Sequence, residues 1–549
     1  MSLQLPKAPN AGLFKPGYQT TSSEDQAVQR NIAACHEIAS IVRTSLGPNG
    51  RNKFIINHLQ KLFITNDAAT ILRELEVVHP AAKLVVMASQ QQEAEMGDAT
   101  NFVITLAGEL LDKAEELLRI GLHPSEIMQG YEMAQEFAVK TLEDLSMDKV
   151  SDLTDPKQIA RAIKSSICSK QYGFEDFLAG LVAEAIATVM PKQAAHFNVD
   201  NVRVVKIMGS SVSQSKVVRG MVFPREPEGQ VKNAKHCKIG IYSCAIDIGQ
   251  TETKGTVLLH NAKELLKFSE GEEDHLEQAI RDIAATGLRV IISGQAIGDL
   301  ALHYLNRYNI LALRVASKFE LRRLCRVVGA SPLARLGPPM PEEMGTVDIV
   351  ETLEIGGDRV TCFRQEEQST RTVTIVLRGA TQNHLDDLER AIDDGVSVIK
   401  SITKNPLLVP GAGATEMQLL ERISDFGFRT PGLLQHPIKK YAEALEVIPR
   451  TLAENAGLES SEVLSRLYAA HSQKSTWSMG VDIENEHKTG ICNAAENEIW
   501  DTLAAKSWAL KLATEAARTV LSVDMIIVAK AAGGPKPPSQ QPQNWDEDN

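Results

Sequence analysis

Aromatic residues are scarce in this 549-residue chain, at 5%, and long apolar runs are absent. Few aromatics weaken any reading built on stacking nucleic-acid bases. The longest apolar stretches, such as Leu84-Val85-Val86-Met87-Ala88, fall far short of the roughly 18 residues that cross a bilayer. Positive charge is in deficit. Against 70 Asp and Glu stand 58 Lys and Arg, a net charge of −12. That excess argues against general binding to nucleic acid or anionic membranes, while a local basic patch stays open. Only seven cysteines occur, at 35, 168, 237, 244, 325, 362 and 492. None form C-x-x-C, and no Cys/His cluster has zinc spacing. Such thiols fit a reducing compartment. Met1 to Ser23 lack the basic start and apolar core of a signal peptide. The expectation is a cytoplasmic protein with neither nucleic acid nor membrane as partner. Common catalytic signatures are missing too. Gly47-Pro48-Asn49-Gly50-Arg51-Asn52-Lys53 lacks P-loop spacing, and Ser40 stands where a zincin starting at His36-Glu37 needs histidine. No G-x-S-x-G occurs, and no G-x-G-x-x-G follows a strand, which counts against a metabolic enzyme with a doubly wound middle domain.

What is present is ordinary globular material: 43% hydrophobic and 23% charged residues, with Gly and Pro near average. At about 150 residues per domain the length implies three to four domains. The pattern predicts a helix over 24–46, opened by a Ser23/Gln26 capping box, with Val28, Ile32, Cys35, Ala39, Val42 and Leu46 on one face. Gly47-Pro48 stops it. Short strands are expected at 54–56 and 62–64, then helices after Pro80 and from Asn101. From Lys238 onward strand-like and helix-like runs alternate: strands at 239–246, 255–259, 290–292 and 310–315, and helices over 262–285 (interrupted at Gly271), 299–308 and 317–328. After a strand at 373–377, helices are expected over 442–456, 460–472 and 499–521. Helical ends thus bracket an α/β middle, either as domains in series or as an insertion. The Pro/Gln-rich, acidic end reads as a disordered tail.

The informative segments are small-residue loops at helix ends. Gly97-Asp98-Ala99-Thr100-Asn101 precedes a long amphipathic helix, whose first free N–H groups attract anions. Asp98 is a candidate magnesium ligand, or Asp98 and Thr100 simply cap the helix. Leu46-Gly47-Pro48-Asn49-Gly50 is a second such loop, and Gly411-Ala412-Gly413-Ala414-Thr415 a third. Asn66-Asp67 leads into Ala68-Ala69-Thr70 and reads first as a cap. Asp393-Asp394-Gly395 lies within a helical pattern. There a glycine costs about 1 kcal/mol relative to alanine, which suggests close packing. Asp394 either polarises a water or pairs with Arg390 in solvent. Together these loops and carboxylates suggest a magnesium–nucleotide site.

Taken in order, the segments resemble the group II chaperonins over essentially the whole chain. Leu46-Gly47-Pro48-Asn49-Gly50 is similar to T-x-G-P-x-G, and Thr65-Asn66-Asp67-Ala68-Ala69-Thr70-Ile71-Leu72 to T-N-D-G-A-T-I-L. Gly97 to Asn101 is similar to G-D-G-T-T, and Val409 to Ala414 to V-P-G-G-G-A. Asp393-Asp394-Gly395 falls where the family has H-D-A, and Gly480-Val481-Asp482 matches a late G-x-D loop. The Asn66 to Leu72 segment and the Gly-Gly-Pro-Lys-Pro-Pro-Ser tail look most like one subunit type of the eukaryotic cytosolic chaperonin.

The resemblance implies a multidomain α plus α/β, GroEL-like architecture. Its equatorial ATP-binding domain would be split over 1–150 and 408–549, and its intermediate domain over 151–220 and 375–407. Residues 221–374 would form the α/β apical substrate-binding domain, with a helical protrusion around 262–277 acting as lid, and 531–549 the tail. It implies a double ring shared with seven other related subunits, ATP and Mg2+ as cofactors, and enclosure of non-native clients such as actin and tubulin. Asp98 would hold magnesium. Leu46, Gly47, Ala99, Thr100 and Asn101 would surround the phosphates. Asp394 would activate water with Asp67 assisting. Lys170, after Ser169 in a nucleotide-sensing loop, would report the γ-phosphate, while Gly411 and Asp501 would contact the nucleoside. On the 317–328 helix, Lys318, Arg322 and Arg326 recur at i+4 and would make a basic substrate groove, or an ordinary solvated face. Ala68, Ala99 and Ala412 replace family glycines, which strains any loop that needs φ > 0. Asn101 loses a hydroxyl, and Asp393 replaces His. These departures sustain an alternative: a nucleotide-binding, mainly structural ring subunit with little hydrolysis of its own.

Overall fold

The computed structural model describes residues 19–20, 24–247, 262–366, 372–472, 477–484 and 489–528. The Ser23 cap, the strand expected at 255–259 and the tail at 531–549 lie outside the described residues.

The first and last helical stretches share one core. Helices Glu24–Arg43, Pro80–Met96, Thr100–Ile120 and Pro124–Asp144 pack with Ala414–Arg429, Gln435–Leu445 and Leu503–Leu521. Thr100–Ile120 is central, because apolar residues cover most of its circumference: Val103, Ile104, Leu106, Leu110 and Leu111 are all fully buried. Gly108 lets this helix press against Glu24–Arg43, since a Cβ there would lie 2.4 Å from the Ala39 Cβ. Tyr131 and Tyr441 meet edge to face in this core. Each hydroxyl is satisfied, Tyr131 donating to Leu110 O at 2.8 Å and Tyr441 lying 2.9 Å from Thr514 Oγ1.

A second core joins helices Pro156–Cys168, Glu175–Val189 and Gln382–Lys404 to strands Val202–Met208 and Val373–Gly379. These strands edge a nine-stranded mixed sheet. Its path runs through Lys216–Phe223, Asp358–Arg364, Gly345–Ile355, Ala234–Tyr242 and Leu288–Ser293 to Leu311–Arg314, with Pro332–Leu333 off the path. Ala234–Tyr242, Leu288–Ser293 and Leu311–Arg314 are parallel, with helices Ala262–Ala285 and Asp299–Arg307 as crossovers.

The chain passes between the first two cores at 145–150 and 405–409. A three-stranded sheet staples both crossings: Leu407–Pro410 pairs with Asp148–Lys149 on one side and Trp500–Thr502 on the other. This junction positions the site.

Four expectations need correction. The first helix ends at Arg43, and residues 44–50 form a turn closed by Gly50 N to Gly47 O at 3.0 Å. Ala262–Ala285 runs unbroken through Gly271, which is exposed with open space around it. The helix expected over 442–456 is two, Gln435–Leu445 and Val447–Asn455, because Pro449 lacks the N–H that would continue the ladder to Leu445. Residues 500–502 are strand rather than helix.

Candidate functional site

A cavity of about 270 Å3 opens where the stapled crossings meet the start of the Thr100–Ile120 helix. Leu46, Gly47, Asp98, Ala99, Thr100, Asn101, Ser169, Lys170 and Asp501 all line it. These nine residues come from four separated segments. Gly411, Asp67 and Asp394 do not line it; Ala412 and Gly413 represent the third loop at the wall. Lys318, Arg322 and Arg326 lie elsewhere, exposed on helix Lys318–Val328, while Leu321, Leu324, Cys325 and Val328 are buried beneath them.

The helix start at the cavity carries no side-chain cap, so the reading of Asp98 or Thr100 as its cap does not hold. The N-cap is Ala99, at φ +65, and its N–H donates to Asp98 Oδ1 at 2.6 Å. Burial pushes the Asp98 carboxyl up, opposed by that Ala99 bond. No Lys, Arg or His among the described residues comes within ion-pair distance of Asp98. A half-buried carboxylate short of positive charge beside free helix N–H groups suits a magnesium–phosphate ligand. Magnesium typically takes only one or two protein carboxylates when phosphates supply other oxygens. The donor set therefore fits that group, although no cluster of three acidic or Cys/His residues occurs among the described residues.

Behind this wall Lys170 binds two carboxylates. Its Nζ lies 3.3 Å from Asp67 Oδ1 and also pairs with Asp394 Oδ2. Asp394 thus pairs with Lys170 rather than Arg390, which faces Asp387 at 3.6 Å. Asp67 does cap helix Ala68–Glu74, its Oδ2 accepting from Thr70 N at 3.0 Å and Thr70 Oγ1 at 2.7 Å. Thr100 Oγ1 donates to Asp67 Oδ1 at 3.3 Å. Burial works to raise Asp67, but Lys170 and the Thr70 bonds outweigh it and hold the carboxyl at about 2. Burial drives Asp394 well above the ordinary carboxylate range, against the pull of Lys170. Burial also opposes charge on Lys170, yet Asp394 and Asp67 keep it cationic. One lysine thus faces two carboxylates pushed in opposite directions, Asp67 down and Asp394 up. Gly395 makes only ordinary contact, with a Cβ there meeting Ile167 at 3.4 Å.

Of the three alanines in glycine places, two adopt left-handed backbone: Ala99 at φ +65 and Ala412 at φ +55. Ala68 is the first residue of a helix and is unstrained.

The sequence reading missed Gln92, Lys506 and Glu416, and it missed what the Asn66 and Asn101 amides bind. The Asn101 amide is spent on main chain, its Nδ2 donating to Ser45 O at 2.9 Å and Asn66 O at 3.3 Å, while Oδ1 accepts from Ala68 N at 2.9 Å. It ties three site loops together. Gln92, fully buried, donates to Asp98 O at 3.0 Å and Ala505 O at 3.2 Å. Asn66 Nδ2 holds Ser169 O at 2.9 Å. Lys506 and Glu416 form a buried pair beside Asp501. Only tertiary pairing distinguishes Gln92, Glu416 and Lys506 from ordinary helix residues.

Comparison with known proteins matches residues 38–531 to the TCP-1/cpn60 chaperonin family. The probable T-complex protein 1 subunit theta of Schizosaccharomyces pombe is 58% identical over 548 residues, covering all of both chains. T-complex protein 1 subunit theta of Saccharomyces cerevisiae is 54% identical over 568 residues, and that of Homo sapiens 52% over 549, again with full coverage of both.

Proposed function

The chain belongs to the TCP-1/cpn60 chaperonin family, and from that premise we propose that it binds and hydrolyses ATP as one subunit of a cytosolic, hetero-oligomeric double ring. It is a ring-chaperonin subunit, of a family that is nucleotide-dependent in general. Our reading adds seven related partner subunits, Mg2+ as cofactor, and non-native clients such as actin and tubulin. No described helix is long and apolar enough to cross a membrane.

The single observation that carries the ATPase reading is the convergence of Asp98, an uncapped helix start and Lys170 at one cavity wall, with Asp67 and Asp394 paired to Lys170 behind it. Asp98 would hold magnesium, which would supply charge neutralisation to the phosphates. Main-chain N–H groups of Thr100 and Asn101 orient the phosphates. Lys170 supplies a fixed positive charge for the γ-phosphate. Asp394, its proton affinity raised by burial, takes the proton of an attacking water as general base. Asp67 stays ionised and holds Lys170 in place. No covalent nucleophile is needed, because phosphoryl transfer rests on positioning and charge neutralisation.

The proposed division is equatorial 1–150 and 408–549, intermediate 151–220 and 375–407, and apical 221–374. Its support is the separation of the cores, one drawn from 28–145 with 409–521 and another from 150–212 with 373–408, which Trp500 alone joins from the last stretch. The exposed Lys318, Arg322 and Arg326 ridge is the proposed substrate surface, suited to acidic client segments.

A second reading, a mainly structural subunit with slow hydrolysis, is favoured by the strained Ala99 and Ala412 at the cavity wall. The two readings separate in rings purified through this chain carrying Asp394→Ala. A reduced rate per ring supports hydrolysis here, and an unchanged rate supports the structural role.

A further inference from the structure

Asp501 is not a free carboxylate at the cavity wall. Its Oδ2 lies 3.0 Å from Lys506 Nζ, and the same ammonium pairs with Glu416 Oε1. Lys506 is 9% exposed and Glu416 1%. The Phe102 ring lies under the ammonium, its centroid 5.1 Å away. Burial favours loss of the Lys506 proton, but Asp501 and Glu416 keep it cationic. Glu416 Oε2 is itself buried without a hydrogen-bond partner. A buried ion pair with an unsatisfied oxygen is a poor device for stability alone, since apolar side chains of similar volume often do as well. The cluster sits where it matters: Asp501 and Lys506 both line the cavity. Gly411 leaves the carboxylate its place, since a Cβ there would lie 3.2 Å from Asp501 Oδ2.

Resting on the nucleotide reading of this cavity, we propose that Lys506, anchored by Glu416, is a positioning residue that fixes Asp501 as acceptor for the ribose hydroxyls and so selects ribonucleotides over 2′-deoxyribonucleotides. A vicinal diol offers two O–H donors to a carboxylate. A carboxylate pinned in one orientation meets them without losing rotamer freedom on binding. When the 2′-hydroxyl is missing, the pinned carboxylate loses one of the two donors, and the penalty falls on the deoxy ligand.

The experiment uses assembled rings containing this chain with an affinity tag. Radiolabelled 8-azido-ATP marks the tagged subunit, which is resolved by electrophoresis, and unlabelled ATP or 2′-deoxy-ATP competes. The readout is the ratio of the two half-competition concentrations on this subunit. The native chain is expected to disfavour 2′-deoxy-ATP by roughly ten- to hundredfold, the range of one hydrogen bond to a charged group. Lys506→Met reduces the ratio to within about threefold with Asp501 intact, and Lys506→Arg restores much of it, because the guanidinium keeps the charge and the donor. Lys506→Gln and Glu416→Gln read the same ratio in the same direction if Lys506→Met chains fail to enter rings. A native ratio in Lys506→Met or Lys506→Gln, with a collapsed ratio in Asp501→Asn, overturns the positioning role and leaves the nucleotide site standing. A native ratio in Asp501→Asn overturns the ribose reading of Asp501 and the proposal with it.

Discussion

Lys170 Nζ stands 3.3 Å from Asp67 Oδ1, with both side chains more than nine-tenths buried and 103 positions apart in the chain. The lysine follows the end of helix Pro156–Cys168, and the aspartate caps Ala68–Glu74. Their contact therefore couples the two cores that meet at the cavity. Removing one member of such a buried pair strands the other charge, typically at a cost of about 3–5 kcal/mol. Lys170→Met is expected to loosen both partner segments. Hydrogen exchange in assembled rings checks this: peptides covering 64–72 and 388–398 should exchange faster. Adding Asp394→Asn should recover part of the loss.

The same pair gives a pH dependence with a definite sign. Asp67 is held at about 2 against an ordinary 3.8, so it favours the folded state above the higher value. The shift corresponds to about 2 kcal/mol, present at pH 5, roughly half gone at pH 3 and lost below about pH 2. Asp67→Asn should therefore be less stable than the native chain at pH 5 and above. Local exchange protection of 64–72, measured between pH 5 and pH 3, should converge for the two chains as pH falls.

The three alanines that stand in glycine places should respond with opposite signs. Ala99→Gly and Ala412→Gly relieve left-handed backbone and should each stabilise the chain by about 1 kcal/mol. Ala68→Gly, in a helix, should cost about 0.5–1 kcal/mol. Thermal unfolding of rings differing only in this chain, read by exchange of its own peptides, checks all three.

Asn101 should behave as a structural tie. Asn101→Ala leaves Ser45 O, Asn66 O and Ala68 N without their partner, at about 1–3 kcal/mol for a buried group left unpaired. Faster exchange is expected in 44–52 and 64–72 together. Exchange confined to one of these segments would contradict the tie.

On the surface, Lys318→Glu with Arg322→Glu and Arg326→Glu reverses three exposed charges without touching the core. Ring assembly should be unchanged. Capture of an acidic unfolded polypeptide by this subunit, read by crosslinking, should weaken several-fold at low salt, and the difference should shrink as salt screens it.

Much of this was legible in the residues. Thr100–Ile120 announced itself by apolar periodicity, Ser317 by its capping position, and the phosphate-type loops by their small residues at helix ends. That Gly47, Asp98, Lys170 and Asp501 line one cavity was implied only by the family resemblance, because spacing along a chain says nothing of meeting across 400 residues. Trp500–Thr502 misread as helix for a related reason. Three residues carry little periodicity, and pairing with Leu407–Pro410 decides their form. Lys506 and Glu416 sit on helical faces like any others, and their partnership spans 90 positions. Asn101 looked like a hydroxyl lost, whereas its amide is what the neighbouring loops require.

The most direct test of the central claim is electron cryomicroscopy of rings containing this chain, with magnesium and a hydrolysis-resistant ATP analogue. The account predicts density for a nucleotide in this subunit's own cavity, with phosphates at the Ala99 to Asn101 helix start, a metal against Asp98 and the ribose facing Asp501. An empty cavity in this subunit, with neighbouring subunits filled, would contradict it.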